Sequence, residues 1–173
     1  MSVTVLSIPP VSGSVSERWY DAYGNCTWVR FETLGQSPWV GVFGNGHVSR
    51  HSTAILFGKQ PLAFVIAGGI GYIVDVNTGQ LVHKTEGEMF VSAISVPDRD
   101  FVIACDWTEL YGIDPSGEIW CSERAALDGI VLDRSSSTTL TGRVWQHDGW
   151  HRFELMFDGW RFEQRERIND QLP

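Results

Sequence analysis

The sequence predicts an all-β chain of consecutive antiparallel meanders, arranged as small blades or folded into a two-sheet β-sandwich or barrel. Three observations carry that expectation. Apolar segments are short, rich in β-branched and aromatic residues, and bounded by Gly, Asn, Asp, Pro or Ser. Helical periodicity is poor; its best stretch, "SERAALDGI" at 122–130, allows two turns at most. The chain also echoes itself at a period of about 38 residues, the range of repeat β architectures.

The strands follow in order. "TWVRFETL" 27–34 alternates, and "WVGVF" 39–43, "TAILF" 53–57 and "AFVIAG" 63–68 are apolar runs between turn residues. "GYIVDV" 71–76, "QLVHKT" 80–85, "FVSAISV" 90–96 and "DFVIACDW" 100–107 come next. "ELYGID" 109–114, "EIWCSE" 118–123, "GIVLD" 129–133, "TLTGRVW" 139–145, "WHRFELMF" 150–157 and "WRFEQ" 160–164 complete the series. The closing "RFEQRERINDQLP" is charged and reads as frayed or as a short turn. The echo joins "AFVIAGGIGYIVDVNTGQLVHKT" from 63 to "DFVIACDWTELYGIDPSGEIWCSE" from 100. Each copy is a strand, a small or polar break, a second strand ending in Asp, a Gly turn and a third strand. Asp75 and Asp114 should cap the turns that Gly79 and Gly117 close with φ > 0.

The segments "YIVDVNTGQLV" and "LYGIDPSGEIW" resemble the repeat of PQQ-type β-propellers over roughly residues 61–124. Trp120 stands at that family's Trp position, where the first copy has Val82 or His83. The resemblance implies blade-like sheet geometry; about four such units fit the chain. It implies no quinone site. The resulting expectation is a partial or small propeller-like arrangement, with the two-sheet sandwich second, in one domain over residues 1–173. An incomplete ring leaves edges that must be covered, which favours a homodimer.

Composition narrows the function. The 173 residues suit one globular domain, and 43% hydrophobic with 20% charged content is that of a soluble protein. A net charge of −8 speaks against a nucleic-acid binder and suits a basic partner. No apolar run reaches membrane-span length, and the start "MSVTVLSIPPVSGS" lacks a secretory pattern. Three unpaired cysteines, Cys26, Cys105 and Cys121, fit reduced thiols in a cytoplasm.

Chemical motifs are weak. His47/His51 and His147/His151 have His-x-x-x-His spacing, but neither lies on a helical pattern and His47/His51 has no Cys or carboxylate near in sequence, so no metal is expected. Cys105 and Cys121 alternate with apolar neighbours as core residues do, and the Asp106 carboxylate beside Cys105 opposes thiolate formation. The carboxylate pairs Glu86/Glu88, Asp98/Asp100 and Asp106/Glu109 lie in turns, where capping is the ordinary use. "FGNGH" and "AGGIGY" lead into strands rather than helices, so they cradle no phosphate. No cofactor is expected.

The aromatic residues are the stronger signal. Trp19, Tyr20, Tyr23, Trp28 and Trp39 crowd the first forty residues, as a groove lining or as core. In "HDGWHRFELMFDGWRFE", 147–163, Asp148-Gly149 and Asp158-Gly159 read as two-residue hairpin turns that pair 147 with 150 and 157 with 160. One face then carries Val144, His151, Phe153, Leu155, Phe157, Trp160 and Phe162, and is core. The other carries Trp145, His147, Trp150, Arg152, Glu154, Arg161 and Glu163. Trp150 and Trp160 should therefore diverge, as should His147 and His151. The candidate binding residues are Trp145, Trp150, Arg152, Trp28, Trp39 and Trp107. Two functions are carried forward. The first is a non-enzymatic protein-binding protein, in one version an immunity-type neutraliser of a basic toxin. The second is a hydrolase or carbohydrate-binding enzyme using turn carboxylates and a histidine.

Overall fold

The computed structural model describes residues 1–11, 13–48, 51–85 and 89–168; Glu86/Glu88 and the end of the charged tail lie outside them. The described residues form β-strands and turns without a helix. Sixteen strands make four sheets of four. Blade 1 holds β1 (Ser2–Leu6), β2 (Ser16–Tyr20), β3 (Cys26–Glu32) and β4 (Trp39–Gly44). Blade 2 holds β5 (Ser52–Leu56), β6 (Leu62–Ala67), β7 (Ile70–Asp75) and β8 (Leu81–Lys84). Blade 3 holds β9 (Ser92–Ser95), β10 (Val102–Cys105), β11 (Leu110–Asp114) and β12 (Gly117–Cys121). Blade 4 holds β13 (Ile130–Ser135), β14 (Thr139–Gln146), β15 (Gly149–Met156) and β16 (Arg161–Arg167). The first strands β1, β5, β9 and β13 touch in series, so each sheet fans outward from a shared inner edge.

Blades 2, 3 and 4 are plain antiparallel meanders. Blade 1 departs from the expected pattern. Its order is β1-β3-β4-β2, and β2 joins β4 in parallel. The chain leaves the inner edge at β1, passes through Pro9 and Pro10, and reaches the outer edge at β2 before returning. Sequence reasoning missed both of these five-residue strands, since each is paired only with residues distant in the chain.

Three apolar clusters lie between successive blades. One joins Phe31, Trp39 and Phe43 of blade 1 to Ala63, Val65 and Tyr72 of blade 2. The second joins Phe64, Ile66 and Ile73 to Val102, Ala104 and Ile113 of blade 3. The third joins Ile103, Cys105 and Leu110 to Leu140, Phe153 and Leu155 of blade 4. Strand β6 feeds two clusters at once: Ala63, Val65 and Ala67 point one way, and Leu62, Phe64 and Ile66 the other. This is why interior strands read as unbroken apolar runs, whereas a strand covered on one side alternates. β14, "TLTGRVWQ", alternates in that way.

The turns follow their chemistry. Asp75 Oδ1 accepts the amides of Asn77 and Thr78 at 2.9 and 2.7 Å, and Gly79 sits at φ 65°. Asp114 Oδ1 accepts from the Ser116 amide and hydroxyl, and Gly117 has φ 122°. Gly68 and Gly69, both at positive φ, close β6 onto β7.

Residues 122–130, the best of the poor helical stretches, form no helix; Ala125 and Ala126 insert into the third cluster while both amides donate to the Thr108 carbonyl. Two expectations about the hairpins of blade 4 are corrected. In the first hairpin of blade 4 the closing pair is Gln146↔Gly149, so His147 and Asp148 make the turn. Gly149, at φ 125°, is the strand residue that absorbs the twist there. In the second hairpin the ladder ends at Met156↔Arg161, one pair short of the expected 157–160 contact. The Trp160 amide is 3.5 Å from the Phe157 carbonyl, and Trp160 itself adopts φ 49°. Neither shift is by an odd number of residues, so the assignment of faces survives.

Candidate interaction faces

Only the interior blades are covered on both sides. Among the described residues no core cluster, hydrogen bond or ion pair joins blade 4 to blade 1. The arc therefore ends in two uncovered sheet faces.

On blade 4, Trp145 and Trp150 are direct cross-strand partners. Their rings meet edge to face at 5.5 Å, and Trp145 stays 39% exposed. The guanidinium of Arg143, two residues before Trp145, lies 6.0 Å from the Trp150 ring. It also reaches both oxygens of Asp133, at 3.2 and 3.1 Å. Arg143 stands opposite Arg152, and Glu154 opposite Glu163. Like charges facing across a ladder destabilise it. Arg165 relieves the glutamates, at 2.5 Å from Glu154 and 3.3 Å from Glu163. Asp133 relieves Arg143, but Arg152 has no acidic partner among the described residues. These groups rim a hollow of about 440 Å³.

Blade 1 ends in a similar way. Trp28 meets Trp19 edge to face at 5.8 Å, and Trp19 is 59% exposed. Beneath them lie Val40 and Val42, which belong to none of the three clusters. Arg30 pairs with Glu32 at 2.9 Å. Glu17, across from Val40 on β2, has no cationic partner among the described residues.

The other candidates separate. Trp39 is a core residue and is withdrawn as a contact residue. It is 4% exposed, stacks on Phe31 at 4.1 Å, and donates from Nε1 to the Val76 carbonyl at 2.9 Å. The N-terminal aromatic cluster thus divides: Tyr20 and Trp39 are buried, while Trp19 and Tyr23 are exposed. Trp107, 42% exposed, meets His51 edge-on at 5.2 Å, and its carbonyl accepts the amide of Gly129, the residue that lies against Trp145 and Trp150. Trp160 packs on the core side, stacked on Trp120 at 4.8 Å. Arg143 and Arg165 were missed, although alternation from Trp145 would have placed Arg143 on the outer face.

The carboxylates and histidines are held by local structure. Asp106 Oδ1 accepts the Thr108 and Glu109 amides, capping the β10–β11 turn. The Tyr111 hydroxyl donates towards Asp106 Oδ2 and Glu109 Oε2, 2.9 Å from each, and burial, then these carboxylates, push its pKa well above the usual tyrosine range. His151 Nε2 and Asp148 Oδ1 are 2.7 Å apart at a hairpin tip, not in a cleft. No group of three or more His, Cys, Asp or Glu among the described residues is placed to hold a metal ion.

Cysteine chemistry gives one prediction. Partial burial of the sulfur, then the charges of Glu109 and Glu118, push the Cys121 thiol up to about 11. At pH 8 a rise of two units cuts the thiolate about a hundredfold, and higher intrinsic nucleophilicity restores about tenfold. Cys121 should react with iodoacetamide about tenfold more slowly than a peptide thiol, and Glu109→Gln should speed it. Peptide-like labelling of Cys121, unchanged by Glu109→Gln, would contradict this assignment. Cys105, buried and pushed up to about 12, should label only on unfolding.

No protein-family model matches the chain, and neither does any curated protein. Solved structures do. The WD40 domain of Neurospora crassa Pan2 is similar at a TM-score of 0.53 and 11% identity, over 70% of this chain and 39% of that one. Hsv2p of Kluyveromyces lactis is similar at a TM-score of 0.55 and 14% identity, over 84% of this chain and 56% of that one. The chain therefore spans less than two thirds of either. At these identities the likeness is one of fold, and with four sheets fanned from a common inner edge the chain is an all-β, propeller-like arc.

Proposed function

We propose that this chain is a non-enzymatic protein-interaction scaffold whose contact surface is the outer face of blade 4. One observation carries the reading: an edge-to-face Trp pair, exposed Trp145 and half-buried Trp150, sits beside an arginine without a counter-charge on a face no blade covers among the described residues. Trp and Arg are the side chains that most often dominate binding energy at protein interfaces. The similar propeller structures support a scaffold. The likeness of residues 61–124 to the PQQ-type repeat is taken as blade geometry alone.

A basic partner, as in neutralisation of a basic toxin, is the finer form of this reading. Its support is that residues 1–129 carry 14 acidic against 7 basic side chains, a field that draws a basic partner to the chain, while the contact at Arg152 itself takes an acidic group of that partner. The partner is not a nucleic acid, by the same balance of charge. Three unpaired cysteines support a reducing, cytoplasmic setting.

The test is affinity capture with the full chain and with Arg152→Glu as baits. The wild-type bait should retain a protein that Arg152→Glu loses, and a basic partner should elute as salt rises. Identical captures by both baits would remove blade 4 as the contact surface.

A further inference from the structure

We propose that the two end faces of the arc are the two halves of one interface, and that a second copy of this chain supplies the missing neighbour. Blade 4 of each copy packs on blade 1 of the other, and two arcs of four blades close into one ring. The inference rests on the reading of blade 4's outer face as a protein-docking surface and names its occupant.

The stacking rule of the arc is the first ground. Every interior interface sets one blade's face on the next blade, with the inner strands touching in series. The end faces are the only two not so used among the described residues. The chain matches 39% and 56% of two longer propeller chains, so its curvature is that of a segment of a ring.

The faces also complement each other. Each presents an edge-to-face Trp pair, Trp19/Trp28 on one and Trp145/Trp150 on the other. Blade 4 exposes an arginine without an acidic partner, Arg152, and blade 1 a glutamate without a basic one, Glu17. Residues 130–167 carry six basic and six acidic side chains, so blade 4 is neutral, whereas residues 1–129 carry a net charge of −7 from 7 basic and 14 acidic. Blade 4 is therefore the part that meets the acidic blades with least repulsion. Two copies joined blade 4 to blade 4 would instead bring Arg152 against Arg152.

The area suffices. A four-stranded face of strands about six residues long measures roughly 19 by 20 Å. Two such interfaces, each counted on both sides, bury on the order of 1,500 Å², the size of a standard stable interface. Each blade 4–blade 1 contact joins unlike faces, and the two-fold axis repeats it, so the pair closes as an isologous dimer.

Sedimentation of the purified chain across a micromolar range tests this. The wild type should reach twice the 19.4 kDa chain mass. Trp19→Glu and Trp145→Glu should each sediment as monomers, and a mixture of the two should recover a heterodimer through its one intact interface. Arg152→Glu, at a solvent-facing position, replaces Trp145→Glu if that variant fails to fold. Recovery on mixing is the signature of blade 4 meeting blade 1. A wild-type chain that stays monomeric, variants that do not complement, or an open series of growing oligomers would each overturn the ring. A monomeric chain that still captures another protein through Arg152 would overturn the ring and leave the docking surface standing. A monomer whose captures ignore Arg152→Glu would remove both.

Discussion

Replacing Phe90 by Ala should destabilise the fold by about 3–5 kcal/mol, the usual cost of emptying a buried aromatic site. Phe90 is fully buried in the connection between β8 and β9. Its ring meets Phe64 of blade 2 edge to face at 5.8 Å and Tyr111 of blade 3 at 5.3 Å. Its amide donates to the Gly69 carbonyl. One side chain thus bridges two sheets that otherwise touch through their own faces. The cavity left by Ala is walled by the rings of Phe64 and Tyr111, held on two different sheets. Urea unfolding should show the loss as a lower midpoint with an unchanged slope. A loss below about 1 kcal/mol would mean the second cluster is loosely packed.

Trp160 gives a second large effect, with an unusual ordering of variants. Its indole stacks on Trp120 at 4.8 Å and 10°, and touches Phe101 and Phe157. It reaches there from a turn of blade 4, over Gly112 of blade 3, where a Cβ would lie 2.6 Å from the ring. To do so it holds φ 49°, a conformation that costs a non-glycine residue about 1 kcal/mol or more. Trp160→Ala should lose about 3–5 kcal/mol from packing and keep the strain. Trp160→Gly loses the same packing and relieves the strain, so it should be more stable than the Ala variant by about 1 kcal/mol. The reverse order would show that the turn relaxes once the indole is gone. Loss of the stacked pair should also diminish the near-ultraviolet circular dichroism in both variants.

These interactions mark what could be read ahead of the structure. The turns at Asp75–Gly79 and Asp114–Gly117 were legible because Asp and Gly act on their own neighbours. The face shared by Trp145 and Trp150 was legible because side chains alternate strictly along a strand, and two-residue shifts in register leave that parity intact. The path of residues 122–130 was not legible, for a complementary reason. A short Ala-rich stretch has too little length to form a helix alone, and the buried places for Ala125 and Ala126 beneath blade 4 decided its path.

Trp39 shows the limit most directly. Its strand, "WVGVF", is apolar throughout, so the sequence cannot say which side is covered. Blade 2 covers Trp39, and the blade's own Trp19 and Trp28 overlie the other side. Strands β1 and β2 were invisible for the same cause: five residues each, with partners more than 20 positions away.

By itself, then, the sequence determined the strand-and-turn grammar, the repeat of blades and which side chains share a face along each alternating strand, since these depend on residues within a few positions of one another. The tertiary structure decided which faces meet. It buried Trp39, set Trp160 on Trp120 and left Trp19, Trp28, Trp145 and Trp150 at the ends of the arc. Burial depends on elements brought together from across the chain, and a face with no neighbour looks the same in sequence as one whose neighbour is polar.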